Sequence, residues 1–334
     1  MTLMTKLYGA VAALALSAGA AIAEPALIYD LGGKFDKSFN EAAFNGAQRW
    51  AEETGGKYLE IEIQSEAQRE QALRRFAEAG ANPVITTGFA IASAIEEVAP
   101  DYPETKFVNI DGFLPEIPDN VQMIAFQEHQ GSYLVGMMAA MASESGTVGF
   151  IGGMDVPLIR HFGCGYAQGA KAVNPDIEII ANMTGTTPAA WNDPVKGSEL
   201  AQAQISQGAD VIYAAAGGTG VGVLQTAADA DILSIGVDSN QNHLHPGKVL
   251  TSMLKRVDVA VYNAMSQGEN IETGTSITLG LEEDGVGVAI DENNESLVTD
   301  EMMTAVQDAR QKIIDGEIEV VSYYANDSCP ALSF

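Results

Sequence analysis

A chain of 334 residues with 17 lysines and arginines against 45 aspartates and glutamates carries a formal charge of −28. So acidic a surface speaks against nucleic acid or an anionic membrane as partner, because both repel it. The only two cysteines, Cys164 and Cys329, lie too far apart for a metal-finger spacing.

Residues 1–23 read as an export signal. Lys6 precedes the apolar run Leu7–Leu16, and Ala21-Ile22-Ala23 fits the small-x-small cleavage rule, so the mature chain is expected to start at Glu24. The run is short for a membrane anchor, and no stop-transfer charges follow it. No cysteine stands near the cleavage point to carry a lipid, so a free periplasmic protein is expected. Cleavage removes Lys6 and no acid, taking the charge from −28 to −29. About 310 residues remain, the size of two domains of roughly 150 each. In an oxidising compartment Cys164 and Cys329 are expected to be bridged.

The mature chain alternates strand and helix. Strands are expected at 26–29, 57–63, 83–87, 106–110 and 121–126, with helices at 41–53, 67–79 and 90–99 between them. The pattern then restarts: helix 131–143, strand 147–151, helix 165–173, strand 177–183, helix 194–207, strand 211–214, helix 221–230, strand 233–237. Such alternation predicts parallel sheets covered by helices on both faces. A helix at 258–267, a loop-rich piece at 279–294, a helix at 300–315 and a last strand at 318–323 complete the chain. With no long linker, the two units are expected to be joined by crossings near Gln127, near Lys255 and after 267. The expected lobes are 24–127 with 256–275, and 128–255 with 276–334.

Between the first strand and helix stands Asp30-Leu31-Gly32-Gly33-Lys34-Phe35-Asp36-Lys37-Ser38-Phe39-Asn40. A Gly-Gly pair there lets the backbone turn sharply toward a ligand. Open α/β sheets bind ligands at this strand-end edge. Phe39 on this polar loop suits stacking on a flat ligand; its plain alternative is to plug the loop onto the sheet.

This stretch resembles the N-terminal signature of the basic membrane protein (BMP) family, substrate-binding proteins of ABC importers whose better understood members are purine nucleoside receptors. The likeness runs from about Ala26 to about Val320. It implies a two-lobed type I periplasmic binding protein, each lobe a parallel α/β sheet flanked by helices. Many relatives are lipoproteins, from which this chain departs.

Other strand ends supply further candidates. Gly88 follows one strand. Asp111 ends another and either accepts a ligand N–H or O–H or caps its turn; the resemblance favours the ligand. The segment Gly152–Phe162 resembles the second-lobe loop and helix entry, where Phe162 corresponds to a ligand-facing aromatic, although a phenylalanine there is also a common core residue. His161 beside it is either a pH-sensitive contact or, as lone histidines commonly are, a surface residue. Gly217 and Gly218 lie in a glycine-rich turn that lacks a P-loop ending and a dinucleotide partner; in the family this turn lies near the ligand. Asp238 can hold two vicinal hydroxyls, as a ribose presents. Lys255 can donate to a hydroxyl or form a surface salt bridge. Trp191-Asn192-Asp193-Pro194 reads as a helix start, and His243-x-His245, two possible metal ligands on a Pro/Gly-flanked loop, is a weak metal signal.

There is no Gly-x-Ser-x-Gly elbow and no His-Glu-x-x-His helix. The expectation is a monomeric periplasmic receptor, without cofactor or metal, that binds a purine nucleoside between its lobes and works with an ABC permease. The alternatives are a sugar or free nucleobase on the same scaffold, and, further off, a nucleoside hydrolase.

Overall fold

The computed structural model describes residues 23–325 and 327–334. The expected export signal lies outside them, Ala23 excepted. In chain order the regular elements are β1 (Ala26–Tyr29), α1 (Phe39–Thr54), β2 (Leu59–Glu62), α2 (Gln68–Glu78), β3 (Val84–Thr87), α3 (Ala92–Val98), β4 (Phe107–Ile110), β5 (Val121–Phe126), α4 (Glu128–Ala142), β6 (Thr147–Met154), α5 (Pro157–Val173), β7 (Glu178–Gly185), α6 (Pro194–Ser206), β8 (Val211–Ala215), α7 (Thr219–Asp229), β9 (Leu233–Asp238), β10 (Val249–Lys255), α8 (Val257–Gln267), β11 (Thr275–Leu279), β12 (Val286–Val288) and α9 (Asp300–Ile314).

Two sheets form, in the orders β11-β5-β4-β3-β1-β2 and β12-β10-β9-β8-β6-β7. All pairings are parallel except β10 with β12. Side chains alternate across each sheet and find helices on both sides. On β1, Ala26 and Ile28 pack with Leu73 of α2 and Ile95 of α3, while Leu27 and Tyr29 join the cluster that holds Ala43 of α1 and Val261 of α8. In the second sheet, Ile212 and Ala214 pack on Ala201 and Val223, whereas Phe150 and Tyr213 face Leu134 and Tyr166. The strand β2, with Glu60 and Glu62 exposed, is a polar edge.

The chain passes between the lobes at Gln127, at Arg256 and after Leu279. The last crossing falls beyond 275 because β11 continues the β5 ladder as far as the Leu279–Phe126 pair. These segments are bonded side by side: the Gln127 N–H donates to Leu279 O at 2.9 Å and the Arg256 N–H to Gly285 O at 2.8 Å.

Two expectations are corrected. The strand at 318–323 is absent, because side chains of α5 take its backbone groups. Gln168 accepts from the Val321 N–H at 2.9 Å and donates to Val321 O at 2.9 Å, and the Tyr323 N–H donates to His161 Nδ1 at 3.2 Å. The helix expected at 165–173 starts at Pro157, eased by a proline in its first turn. As expected, Cys164 of α5 is bridged to Cys329 of the tail, Cα to Cα 5.5 Å.

Helices α4 and α5 touch backbone to backbone. A Cβ added at Gly169 would stand 1.9 Å from Tyr133 O, and one at Gly165 2.2 Å from His129 O. Gly169→Ala is expected to lower unfolding free energy by about 1–3 kcal/mol through overpacking, although alanine in an open helix would gain about 1 kcal/mol. Urea titration decides the sign; an unchanged or raised midpoint contradicts the close approach.

Candidate functional site

The C-terminal ends of the two sheets face each other across a cavity of about 270 Å³. Small-molecule sites run from roughly 300 Å³ upward, so this one suits a compact ligand. Nine of the residues expected at the site line it: Asp30, Phe39, Asn40, Gly88, Asp111, Phe162, Gly217, Asp238 and Lys255. Gly218 is set back, against Trp191 and Asp36. The cavity adjoins an outer groove at Glu66 and Arg69, and a second inter-lobe cavity at Asp111 and Leu158.

The loop before α1 is built by its own polar groups. Gly32 and Gly33 take φ of +129° and +94°, which side chains rarely adopt. The buried Asp36 carboxylate then accepts the N–H groups of Ser38 at 2.8 Å, Asn40 at 3.0 Å and Glu41 at 3.1 Å, capping α1. Burial pushes its pKa to about 7, against the pull of those N–H donors. The cap aims Phe39, the first residue of α1, into the cleft. Asn40 Nδ2 donates to Asp30 O and to Gly33 O, each at 3.2 Å, and its Oδ1 accepts from the Thr87 hydroxyl at 2.9 Å. Its amide therefore locks the loop to β3. Asp30 faces Arg69, whose guanidinium donates to both carboxylate oxygens, at 3.0 and 3.1 Å.

Opposite stands a buried charge cluster. Lys255, 1% exposed, places its ammonium 2.6 Å from Asp111 Oδ2 and 2.9 Å from Glu128 Oε1, not on the surface. The rings of Phe39, Phe126 and Phe162 surround it, with centroids 5.2, 5.1 and 5.4 Å away. Burial alone would lower the Lys255 pKa, but Asp111, Glu128 and Asp238 hold it above its ordinary value. Burial raises both Asp111 and Glu128 in spite of the Lys255 charge. Asp238 is pushed up to about 6 by burial, while Lys255 and a bond from Ser38 draw it down and Asp111 adds to the rise. Asp111 and Asp238 have φ of +76° and +62°. Left-handed backbone at a non-glycine strand end costs energy and is a mark of sites that must aim a side chain.

Free bonding capacity remains. Asp111 Oδ1 is buried without a partner. The Lys255 ammonium, with three donors and two carboxylate contacts, keeps one N–H available. Besides the Lys255–Asp111 pair, bonds from the loop before α1 already span the lobes: Ser38 Oγ donates to Asp238 Oδ2 at 2.5 Å and to Val237 O at 3.3 Å, Ser239 Oγ to Ser38 O at 2.8 Å and Gln241 Nε2 to Lys37 O at 3.0 Å.

Several lining residues escaped sequence reasoning. Trp191, read as part of a helix start, also walls the cavity, while Asp193 beside it caps α6 by accepting the Lys196 N–H at 2.9 Å. Glu66 comes from the turn before α2 and Arg69 from its first turn, and Met154, Leu158 and Ile159 from the end of β6 and the start of α5. His161 is buried, not on the surface. Its Nδ1 accepts from Tyr323, so Nε2 carries the proton and points at Glu128 Oε2, 3.8 Å away. No group of acids, histidines and cysteines suited to a metal occurs among the described residues.

Residues 25–323 match the Bmp family model, described as ABC transporter substrate-binding protein PnrA-like. The chain belongs to the Bmp family. It is 31% identical over 320 residues to the "ABC transporter nucleoside-binding protein BmpA" of Lactococcus lactis subsp. cremoris, covering 89% of this chain and 88% of that one. With an uncharacterized lipoprotein of Pyrococcus furiosus it shares 34% over 280 residues, 78% of this chain and 69% of that one. A solute-binding protein of an ABC transporter system from Aeropyrum pernix K1 superposes with a TM-score of 0.83 at 31% identity, covering 91% of this Bmp chain and 95% of its own. This Bmp protein is thus a substrate-binding protein of an ABC transporter, a class that takes a small-molecule ligand and works with a membrane permease.

Proposed function

We propose that this protein binds a purine nucleoside in the inter-lobe cavity, unaltered, and presents it to an inner-membrane permease from the periplasm as a monomer. The observation that carries the reading is the pairing of one aromatic ring from each lobe, Phe39 and Phe162, with the Asp111–Lys255–Asp238 group around one small cavity. Rings offer stacking surface to a base; two carboxylates and an ammonium suit the hydroxyls of a ribose. Asn40 keeps the loop in shape, so recognition of the base edge passes to Asp30 with Arg69, and to Glu66. The name of the Lactococcus relative supports a nucleoside. The lipoprotein name of the Pyrococcus relative leaves membrane attachment as the point where relatives differ from the free form proposed for this chain.

Calorimetry with adenosine, guanosine, inosine and ribose tests this, alongside mass spectrometry of small molecules released on denaturing the purified protein. Phe39→Ala and Phe162→Ala are each expected to weaken nucleoside binding by about tenfold or more, since stacking is worth roughly 1–3 kcal/mol. Ribose bound as tightly as nucleosides would replace the reading with a sugar site. Unchanged binding in both variants would remove the rings from it. Nucleoside recovered cleaved after incubation would make the protein a hydrolase.

A further inference from the structure

Glu128 is 1% exposed and has no part in the reading above. It opens α4 immediately after the Gln127 crossing, and Lys255 ends β10 immediately before the Arg256 crossing. Helix α4 packs on α5, β10 and β12, so both residues belong to the second lobe, at its hinge edge. Asp111 follows β4 of the first lobe. One ammonium is therefore divided between a carboxylate of its own lobe and a carboxylate of the other.

The surroundings leave this cation short of charge. From β9, Asp238 adds a further acid of the second lobe. From α5, His161 faces Glu128 at 3.8 Å, and His129 of α4 stacks on His161 with centroids 4.2 Å apart. Both imidazoles are pushed down to about 3, chiefly by burial, and stay neutral. Glu128 Oε2 has no hydrogen-bond partner. Closing the lobes thus brings Asp111 toward two acids already gathered around Lys255.

We propose that Glu128 is a positioning residue that sets the balance between open and closed lobes: it retains the Lys255 ammonium in the second lobe and repels Asp111 as the first lobe approaches. An empty site is then held back from closing, and a ligand that donates hydrogen bonds to the acids relieves the repulsion. This rests on the two-lobed receptor reading, with the ligand between lobes that close.

Small-angle scattering of ligand-free protein tests it. Glu128→Gln keeps the shape and the contact to Lys255 but removes the charge, and is expected to lower the radius of gyration below that of ligand-free wild type. Glu128→Asp keeps the charge and should stay near ligand-free wild type. Glu128→Met serves as a second charge-removing variant should Gln fail to fold, since Asp111 remains as a counter-ion for the Lys255 ammonium. Charge-removing variants with the wild-type ligand-free radius overturn the proposal, even if their melting temperature falls, as does compaction by Asp equal to that by Gln. Because no ligand is added, a failure of nucleosides to bind leaves this result standing. Wild type that compacts on nucleoside beside an unmoved Glu128→Gln overturns the role of Glu128 alone.

Discussion

Asp238→Ala is expected to weaken nucleoside binding by about 2–5 kcal/mol, the usual cost of truncating one partner of a buried charged hydrogen bond. That is roughly a 30- to 4,000-fold loss of affinity. Stability of the empty protein should change little. The substitution removes a carboxylate that burial already strains, and the Ser38 hydroxyl keeps a second acceptor in Val237 O at 3.3 Å. Asp238→Asn, which tolerates the left-handed backbone better, separates loss of charge from backbone strain. The sign with pH follows from the raised carboxyl. The folded form holds its proton up to about pH 6 and the unfolded form only to about 4, so this group makes the empty protein less stable as pH rises between them. A ligand whose hydroxyls donate to the ionised carboxylate binds more weakly as pH falls through about 6. Calorimetry from pH 5 to 8 should show that slope in wild type and its reduction in Asp238→Asn. Wild-type affinity in Asp238→Ala would take the ribose role away from this residue.

Cys329→Ser is expected to be the largest single loss of stability. The bridge joins residues 165 apart. Closing a loop of that length in the unfolded chain corresponds to about 4–5 kcal/mol in the chain-entropy model. Guanidinium unfolding of oxidised wild type and of the serine variant measures the difference, and thiol titration in denaturant without reductant checks the bond itself. Equal midpoints would show that the bridge contributes nothing net. Bonds from Gln168 and His161 also hold the tail to α5, so the variant should still bind ligand.

How far the site was legible depended on distance along the chain. The Gly-Gly turn before α1 and the acids closing β4 and β9 are local signals, and each lies where strand gives way to loop. Parallel strands carry buried residues on both faces, so runs such as Phe107–Ile110 stood out too. The missed partners are set by tertiary approach. Arg69 reaches Asp30 from 39 residues on, and Glu128 reaches Lys255 across the whole second lobe. The helix was expected to begin at 131, three residues after Glu128, so nothing marked Glu128 as a buried counter-ion. Asn40 lines the cavity as expected of a candidate, but its bonds to Asp30, Gly33 and Thr87 exist only after the loop has folded and had no mark in the sequence. The tail failed as a strand for a related reason, since Gln168 and His161 supply the partners a neighbouring strand would have given.

The loop before α1 has a kinetic consequence. Its Ser38 and Lys37 carbonyls and the Ser38 hydroxyl bond to Asp238, Ser239 and Gln241 of the other lobe, and none of these bonds requires a ligand. Each contributes about 0.5–1.5 kcal/mol, more where a carboxylate accepts. A captive molecule leaves only after they break, so residence time depends on protein–protein bonds as well as on ligand contacts. Substitutions at Ser239 or Gln241, which do not line the cavity, should therefore act mainly on the rate of escape.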